Sequence, residues 1–286
     1  MSALGSGQNA FARVTGLSAL HPDWLVPDWP APAHVRAVFT TRAGGVSRPP
    51  FDTLNLGRPS PDDPADVATN RTRLAAALGV TPVFLSQVHG VETVELPLPQ
   101  ASVGPVVEAD GCVSAIPGVV CTMRVADCLP VLLTDTRGTV VAAAHAGWRG
   151  LAHGVLERNF RAFEGLLLRQ PASASPGPVA SRTLAWLGPC IGPRAFEVGP
   201  EVREAFLAAD GGAAQCFVPK EGGKWLADLA ALARVRLRTI GVSQIYGNDG
   251  SAPWCTVNNP SRFFSHRRDN VGLGGSGRMA ACIWID

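Results

Sequence analysis

Apolar positions along this chain follow two rhythms, one of strands and one of helices. Residues 35–41 read as a strand. Over 64–78 the period becomes helical: Val67, Leu74 and Leu78 share a face, Asp62 or Asp63 can cap the start, and Gly79 stops it. Short strands are predicted at 83–85 and 91–96, on either side of His89. The stretches 118–125, 130–134 and 140–145 are apolar and β-branched, and Asp135-Thr136-Arg137-Gly138 between the last two reads as a hairpin turn. Over 151–168 helical spacing returns, with Ala152, Val155, Leu156, Phe160, Phe163 and Leu167 on one face and Glu157, Arg158, Arg161 and Glu164 away from it.

The stretch 170–181, rich in Pro, Ala and Ser, fits a surface loop better than a domain linker. Beyond it the pattern predicts a strand at 184–187, helices at 201–209 and 226–239, and strands near 244–246 and 279–285. Residues 1–25 form an irregular N-terminal segment, and no internal repeat is visible. Strands and helices intermix throughout, so 26–286 is expected to form a single α/β or α+β domain.

Composition narrows the function classes. The 286 residues are 46% apolar, ample for a large core. The formal net charge is +2 and the charged residues are scattered, so nucleic acid is not an expected partner. Apolar runs fall far short of a membrane span, and residues 1–13 lack the basic-then-apolar order of a signal peptide. A cytoplasmic protein, monomeric or homodimeric, is the expectation. The seven cysteines are odd in number and form no C-x-x-C pair, which argues against a disulfide framework and against a four-cysteine zinc site.

The chemistry concentrates in one stretch. Ala126-Asp127-Cys128-Leu129-Pro130 leads into an apolar run that ends at His145-Ala146-Gly147-Trp148-Arg149-Gly150, and His89 stands upstream in Ser86-Gln87-Val88-His89-Gly90. Two imidazoles and a thiol at strand ends can give zinc three ligands and leave its fourth position open. The same atoms could instead form a Cys nucleophile with a His base. Asp127 either orients a ligating imidazole or makes an Asx turn. Arg149, beside free N–H groups at a helix start, suits an anion such as phosphate. Arg42, in Thr40-Thr41-Arg42-Ala43-Gly44-Gly45, and Asn55, in Leu54-Asn55-Leu56-Gly57, are candidate oxyanion and hydroxyl binders. Phe263 to Asp269 mixes aromatics with adjacent arginines around His266, as a packed edge or a ligand contact.

Two apparent signals fail. Gly272-Leu273-Gly274-Gly275-Ser276-Gly277 matches G-x-G-x-x-G, but a short strand and the chain end follow it, not a helix in a β-α-β unit. Pro189-Cys190 resembles half of a zinc deaminase signature whose other elements are missing.

Taken in order, SQVHG (86–90), ADCLPVLL (126–133), AHAGWRG (144–150), WLGPCIGPRAFEVG (186–199) and FFSHRRD (263–269), with TTRAGGVS and LNLG, resemble the bacterial laccase-domain proteins. These are also called polyphenol oxidase-like or peptidoglycan editing factor proteins, and the resemblance runs from about Trp24 to Ile285. It implies an α+β, four-layer α-β-β-α sandwich with mixed sheets. It implies one zinc on His89, Cys128 and His145, with copper as an alternative occupant. It implies phosphorolysis of the purine nucleosides adenosine, inosine, guanosine and methylthioadenosine, adenosine deamination, and a link to peptidoglycan precursors. Cys190 and His266 depart from the family pattern, and an aromatic is expected in place of His266.

Only six histidines occur, which is few for an assembly of several coppers. Phenol oxidation is therefore expected as a secondary or metal-substituted activity. A metal-free Cys/His hydrolase and a peptidoglycan-precursor editing enzyme are further alternatives, and a non-enzymatic binding protein with a structural zinc would need a fourth protein ligand, for which no obvious candidate exists. For phosphorolysis, Arg42 and Arg149 are expected to hold phosphate; for deamination, Asp127 is expected to relay a proton.

Overall fold

The computed structural model describes residues 20–57, 60–98, 107–171 and 177–286. In chain order the elements are β1 (Val35–Phe39), α1 (Pro64–Leu78), β2 (Pro82–Val83), β3 (Thr93–Glu95), β4 (Gly111–Ser114), β5 (Val120–Val125), β6 (Leu129–Asp135), β7 (Val141–Ala146), α2 (Trp148–Ala152) and α3 (Val155–Leu168). There follow β8 (Thr183–Leu187), β9 (Glu197–Val198), α4 (Pro200–Ala209), β10 (Phe217–Pro219), β11 (Trp225–Ala227), α5 (Leu229–Thr239), β12 (Gln244–Gly247), α6 (His266–Leu273) and β13 (Met279–Ile285). Among the described residues, no helix is long and apolar enough to cross a membrane.

Two mixed sheets form the centre. One has the order β1-β13-β5-β2, the other β12-β8-β6-β7-β4-β3, and a small antiparallel sheet β10-β11-β9 lies beside the helices. Strand alternation divides the side chains among three apolar layers. Leu132, Val141 and Ala143 from the six-stranded sheet meet Phe39, Met123 and Ile283 from the four-stranded one. Their neighbours Val131, Leu133, Ala142 and Ala144 face the other way, against Phe163 of α3, Phe206 of α4 and Leu232 of α5. On the outer face of the four-stranded sheet, Val38, Val120 and Trp284 pack on Leu74 and Leu78 of α1. The result is the expected four-layer α-β-β-α sandwich in a single domain.

The hairpin at the centre is built as its sequence indicates. The Asp135 carboxylate accepts from the N–H groups of Arg137, Thr139 and Val140, and Gly138 takes the positive φ of 68° that the turn needs. At the other end of the hairpin, Pro130 pairs opposite His145 and Leu129 opposite Ala146. His145 continues the parity of Val141 and Ala143, so its side chain faces the space between the sheets.

Helix α1 matches its predicted bounds, with Asp63 accepting from the Ala65 N–H and Gly79 closing the end at φ 73°. Other predictions shift. The helix expected over 151–168 is broken: α2 ends at Ala152, Gly154 turns left-handed at φ 94°, and α3 begins at Val155. The apolar period hides the break because Ala152 and Val155 enter the same core. The helix expected from 226 starts at Leu229, because Asp228 caps it by accepting from the Ala231 N–H, and Trp225–Ala227 before it pairs as a strand. The strand expected from 118 begins at Val120, after a turn at Gly118 (φ 74°). β4, the small third sheet and α6 were not predicted. Of the loop expected at 170–181, residues 172–176 lie outside the described residues, as do 1–19 of the N-terminal segment.

Leu132 is fully buried between the two large sheets. Leu132→Ala is expected to cost about 2–5 kcal/mol, read as a lower urea midpoint at unchanged slope. Val218→Ala, on an exposed strand, should cost under ~0.5 kcal/mol by the same measurement.

Candidate metal centre

Three loops meet at the end of the inter-sheet layer. His145 is the penultimate residue of β7, Cys128 directly precedes β6, and His89 lies in the turn between β2 and β3. One ligand atom from each lies within 4.8 Å of the others. The His89 Nε2 to Cys128 Sγ distance is 3.7 Å. Tetrahedral zinc with Zn–S of about 2.3 Å and Zn–N of about 2.0–2.1 Å needs donor atoms roughly 3.3–3.6 Å apart. The His89–Cys128 pair therefore sits close to ligand spacing, and a thiolate with two imidazoles suits zinc or copper. Gly147 leaves room for them: a Cβ there would lie 2.8 Å from His89 Cδ2 and 3.1 Å from Cys128 Sγ.

One buried carboxylate organises both histidines. Asp110 Oδ1 lies 2.7 Å from His145 Nδ1, which leaves Nε2 as the ligand atom. The Asp110 carbonyl also accepts the His145 backbone N–H at 2.7 Å. The same carboxylate accepts from the N–H groups of Val88 (3.1 Å), His89 (3.1 Å) and Gly90 (2.7 Å). His89 is held in a left-handed conformation, φ 62°, which a non-glycine residue rarely adopts without such support.

The electrostatics are those of a coupled pair. Burial pushes the Cys128 thiol up, but His145 and His89 beside it pull harder and bring it down to about 6. Burial pushes His145 down, and the Cys128 and Asp110 charges override it, raising the imidazole to about 9. Burial also raises Asp110, yet His145 and the turn N–H groups hold it below the usual carboxylate range. Without metal, the site near neutral pH is a thiolate–imidazolium pair. An entering metal must displace the imidazolium proton.

The three donors open onto a pocket of about 290 Å³. Gln87, Arg124, Arg278 and His266 line its other walls. His266 is the first residue of α6, and burial together with nearby Arg278 lowers its pKa.

Residues 36–286 match the family model described as multi-copper polyphenol oxidoreductase laccase. The chain belongs to this laccase-like family. A protein named purine nucleoside phosphorylase from Pseudomonas aeruginosa is 49% identical over 263 residues, covering 92% of this chain and 98% of that one. Purine nucleoside phosphorylase YfiH of Escherichia coli K12 is 49% identical over 264 residues, covering 91% and 98%. The crystal structure of protein NMB0706 of Neisseria meningitidis superposes with a TM-score of 0.81 at 42% identity, covering 92% of this chain and 99% of that one.

In this laccase-like chain the residues singled out in the sequence have different roles. Arg42 is engaged internally: it bonds the carbonyls of Asp52 and Pro260 and the Asp52 carboxylate, and lies over Phe264. Asn55 is buried, donates to Ser60 and Asp62, and accepts from the N–H groups of Gly57 and Arg278. Arg149 is exposed and stacks on Trp148, 4.4 Å from the ring centroid. None of the three lines the pocket.

Asp127, at φ 83°, accepts from Thr256 Oγ1 (2.5 Å), Ser265 Oγ (3.0 Å) and the Arg267 N–H (2.6 Å). It thereby ties the Cys128 turn to the start of α6, while Asp110 performs the imidazole-orienting role expected of Asp127. Sequence reasoning missed Asp110, Arg124 and Arg278. Glu108-Ala109-Asp110-Gly111 carries no motif, though an acid before a glycine at a strand start was a usable signal.

Asp110→Asn is expected to weaken zinc binding ~10–100-fold, measured by competition with a chromophoric chelator. Asp127→Asn should weaken it far less, with its main effect on hydrogen exchange across α6. In metal-free protein, iodoacetamide labelling of Cys128 should rise as pH climbs through about 6 and then level off, because the reactive thiolate appears as the depressed pKa is passed. Cys216 and Cys282, pushed by burial to about 11 and about 12, should stay unlabelled, and zinc should protect Cys128.

Proposed function

We propose that this chain is a zinc-dependent purine nucleoside phosphorylase acting in the cytoplasm on adenosine, inosine, guanosine and methylthioadenosine, with adenosine deamination as a second activity of the same site. The observation that carries the reading is the three-donor centre opening onto a pocket lined by cations and an imidazole. The names of relatives 49% identical over nearly their full length support it. The pocket volume, about 290 Å³, suits a nucleoside-sized ligand.

His89, Cys128 and His145 would hold the metal, which when bound supplies Lewis acidity at a position the protein leaves open. Asp110 keeps His145 oriented and its Nδ1 protonated. The guanidinium groups of Arg124 and Arg278 attract an anionic co-substrate. In phosphorolysis the C1′–N bond breaks, its electron pair stays on the purine, and phosphate oxygen bonds C1′. His266, at the pocket wall, gives the departing base a hydrogen-bonding partner. Copper is the second reading, favoured by the description of the family model. Among the described residues His89, Cys128 and His145 are the one such donor group, so a copper enzyme here would be a single-site one.

The test is an assay of metal-quantified protein with adenosine, with and without phosphate, beside Cys128→Ala. Phosphate-dependent release of adenine and ribose 1-phosphate is expected, lost in Cys128→Ala together with about one equivalent of zinc. Ammonia and inosine without phosphate would leave deamination alone. Oxygen uptake with phenols, dependent on copper, would favour the oxidase, and activity surviving chelation would favour a thiolate hydrolase.

A further inference from the structure

Two arginines that sequence reasoning passed over share the pocket with the metal centre. Arg124 lies on β5 and Arg278 directly precedes β13, adjacent strands of one sheet. Bringing two guanidinium groups into one partly buried cavity is unfavourable without a compensating anion. Burial, with repulsion from Arg71 and Arg278, pushes Arg124 down to about 10. Burial lowers Arg278 as well, and the anionic groups drawing it back are Cys128 and Asp127.

Both side chains are anchored. The Gln87 side chain clasps the Arg124 backbone, its amide donating to the carbonyl and its Oε1 accepting the N–H, each at 2.8 Å. Arg124 Nη2 donates to the Leu85 carbonyl. Asn55 Oδ1 accepts the Arg278 backbone N–H at 2.9 Å, and Arg278 Nη1 bonds the carbonyls of Ser276 and Gly277. Gly57 makes room for the Arg278 stem, since a Cβ there would lie 2.9 Å from its Cγ. Among the described residues Arg278 meets no carboxylate within ion-pair distance, and its Nε and Nη2 carry no hydrogen bond. This is the paired edge that grips an oxyanion in bidentate fashion.

We propose that Arg278 and Arg124 form the oxyanion subsite of this pocket and take inorganic phosphate as a dianion beside the metal centre. Gln87 and Asn55 are positioning residues that hold the backbone from which the two arginines reach the pocket. The anion-binding role that helix-start position suggested for Arg149 moves to these two arginines. The inference rests on the phosphorylase reading only for the identity of the anion. A metal dication and two guanidinium groups outweigh the charges of Cys128, Asp110 and Asp127, so the pocket keeps a net positive charge whatever the second substrate is.

The experiment is a calorimetric titration of inorganic phosphate, and separately of ribose 1-phosphate, into zinc-loaded protein. The proteins compared are the unsubstituted chain, Arg278→Gln, Arg124→Gln, Arg278→Lys and Arg149→Ala, each checked for zinc content and thermal midpoint. Phosphate affinity is expected to fall about tenfold or more in Arg278→Gln and Arg124→Gln, and less in Arg278→Lys, which keeps a cation. Arg149→Ala should bind phosphate as the unsubstituted chain does. In turnover, the phosphate KM should rise in the two Gln variants while the nucleoside KM moves far less.

Phosphate binding unaltered in both folded Gln variants, or lost in Arg149→Ala, would overturn the subsite. Binding of ribose 1-phosphate but not of inorganic phosphate would also overturn phosphate as its ligand. Arg278-dependent phosphate binding by a protein that releases no purine would uphold the subsite and remove the phosphorylase reading, so the two failures are separable.

Discussion

A carboxylate taken out of water must be surrounded by donors or give up its charge, and everything at this centre depends on how Asp110 meets that condition. Its four donors are the three successive N–H groups of the Val88–Gly90 turn and His145 Nδ1. None of them is spare. The turn N–H groups come from the loop that carries one histidine, and the imidazole is the other histidine. Satisfying one buried charge therefore places both rings, 4.9 Å apart, against the same thiol. The left-handed backbone at His89 persists because three hydrogen bonds over-determine it.

Asp127, next to Cys128 in the sequence, shows how differently a second carboxylate can act. Its acceptors are spent on Thr256, Ser265 and Arg267, so it joins the turn before Cys128 to the segment that launches α6. Ser265 caps that helix by accepting from the Arg268 N–H, and His266 enters the pocket as its first residue. One acid thus fixes the His-Cys-His side of the pocket, and the other fixes the start of α6, whose first residue also lines it. The motifs around 126–130 and 263–269, far apart in sequence, are two halves of one joint.

Much of this was legible before the fold was known. The β6–β7 hairpin, helix α1 and the three donors stand out because alternation, capping residues and reactive side chains at strand ends leave local marks. What stayed hidden depends on tertiary contact. Asp110 acts through residues on another loop and another strand, so its neighbours in sequence say nothing of its work. Arg124 reads as a polar interruption of an apolar strand, and Arg278 as one cation after a glycine-rich stretch. Arg42, Asn55 and Arg149 carried the appearance of ligand binders, yet two are absorbed in internal hydrogen bonds and the third stacks on its neighbouring tryptophan. Residue type announces chemistry, while the partners that consume or free that chemistry are set by the packing of the two sheets.

On the proposed reading, His89, Cys128 and His145 act together as one metal centre with an open position. X-ray absorption at the zinc edge of the loaded protein tests it most directly. A single sulfur at about 2.3 Å, two imidazole nitrogens at about 2.0–2.1 Å and one further light atom are expected. A shell without sulfur, or with two or more sulfurs, would contradict it.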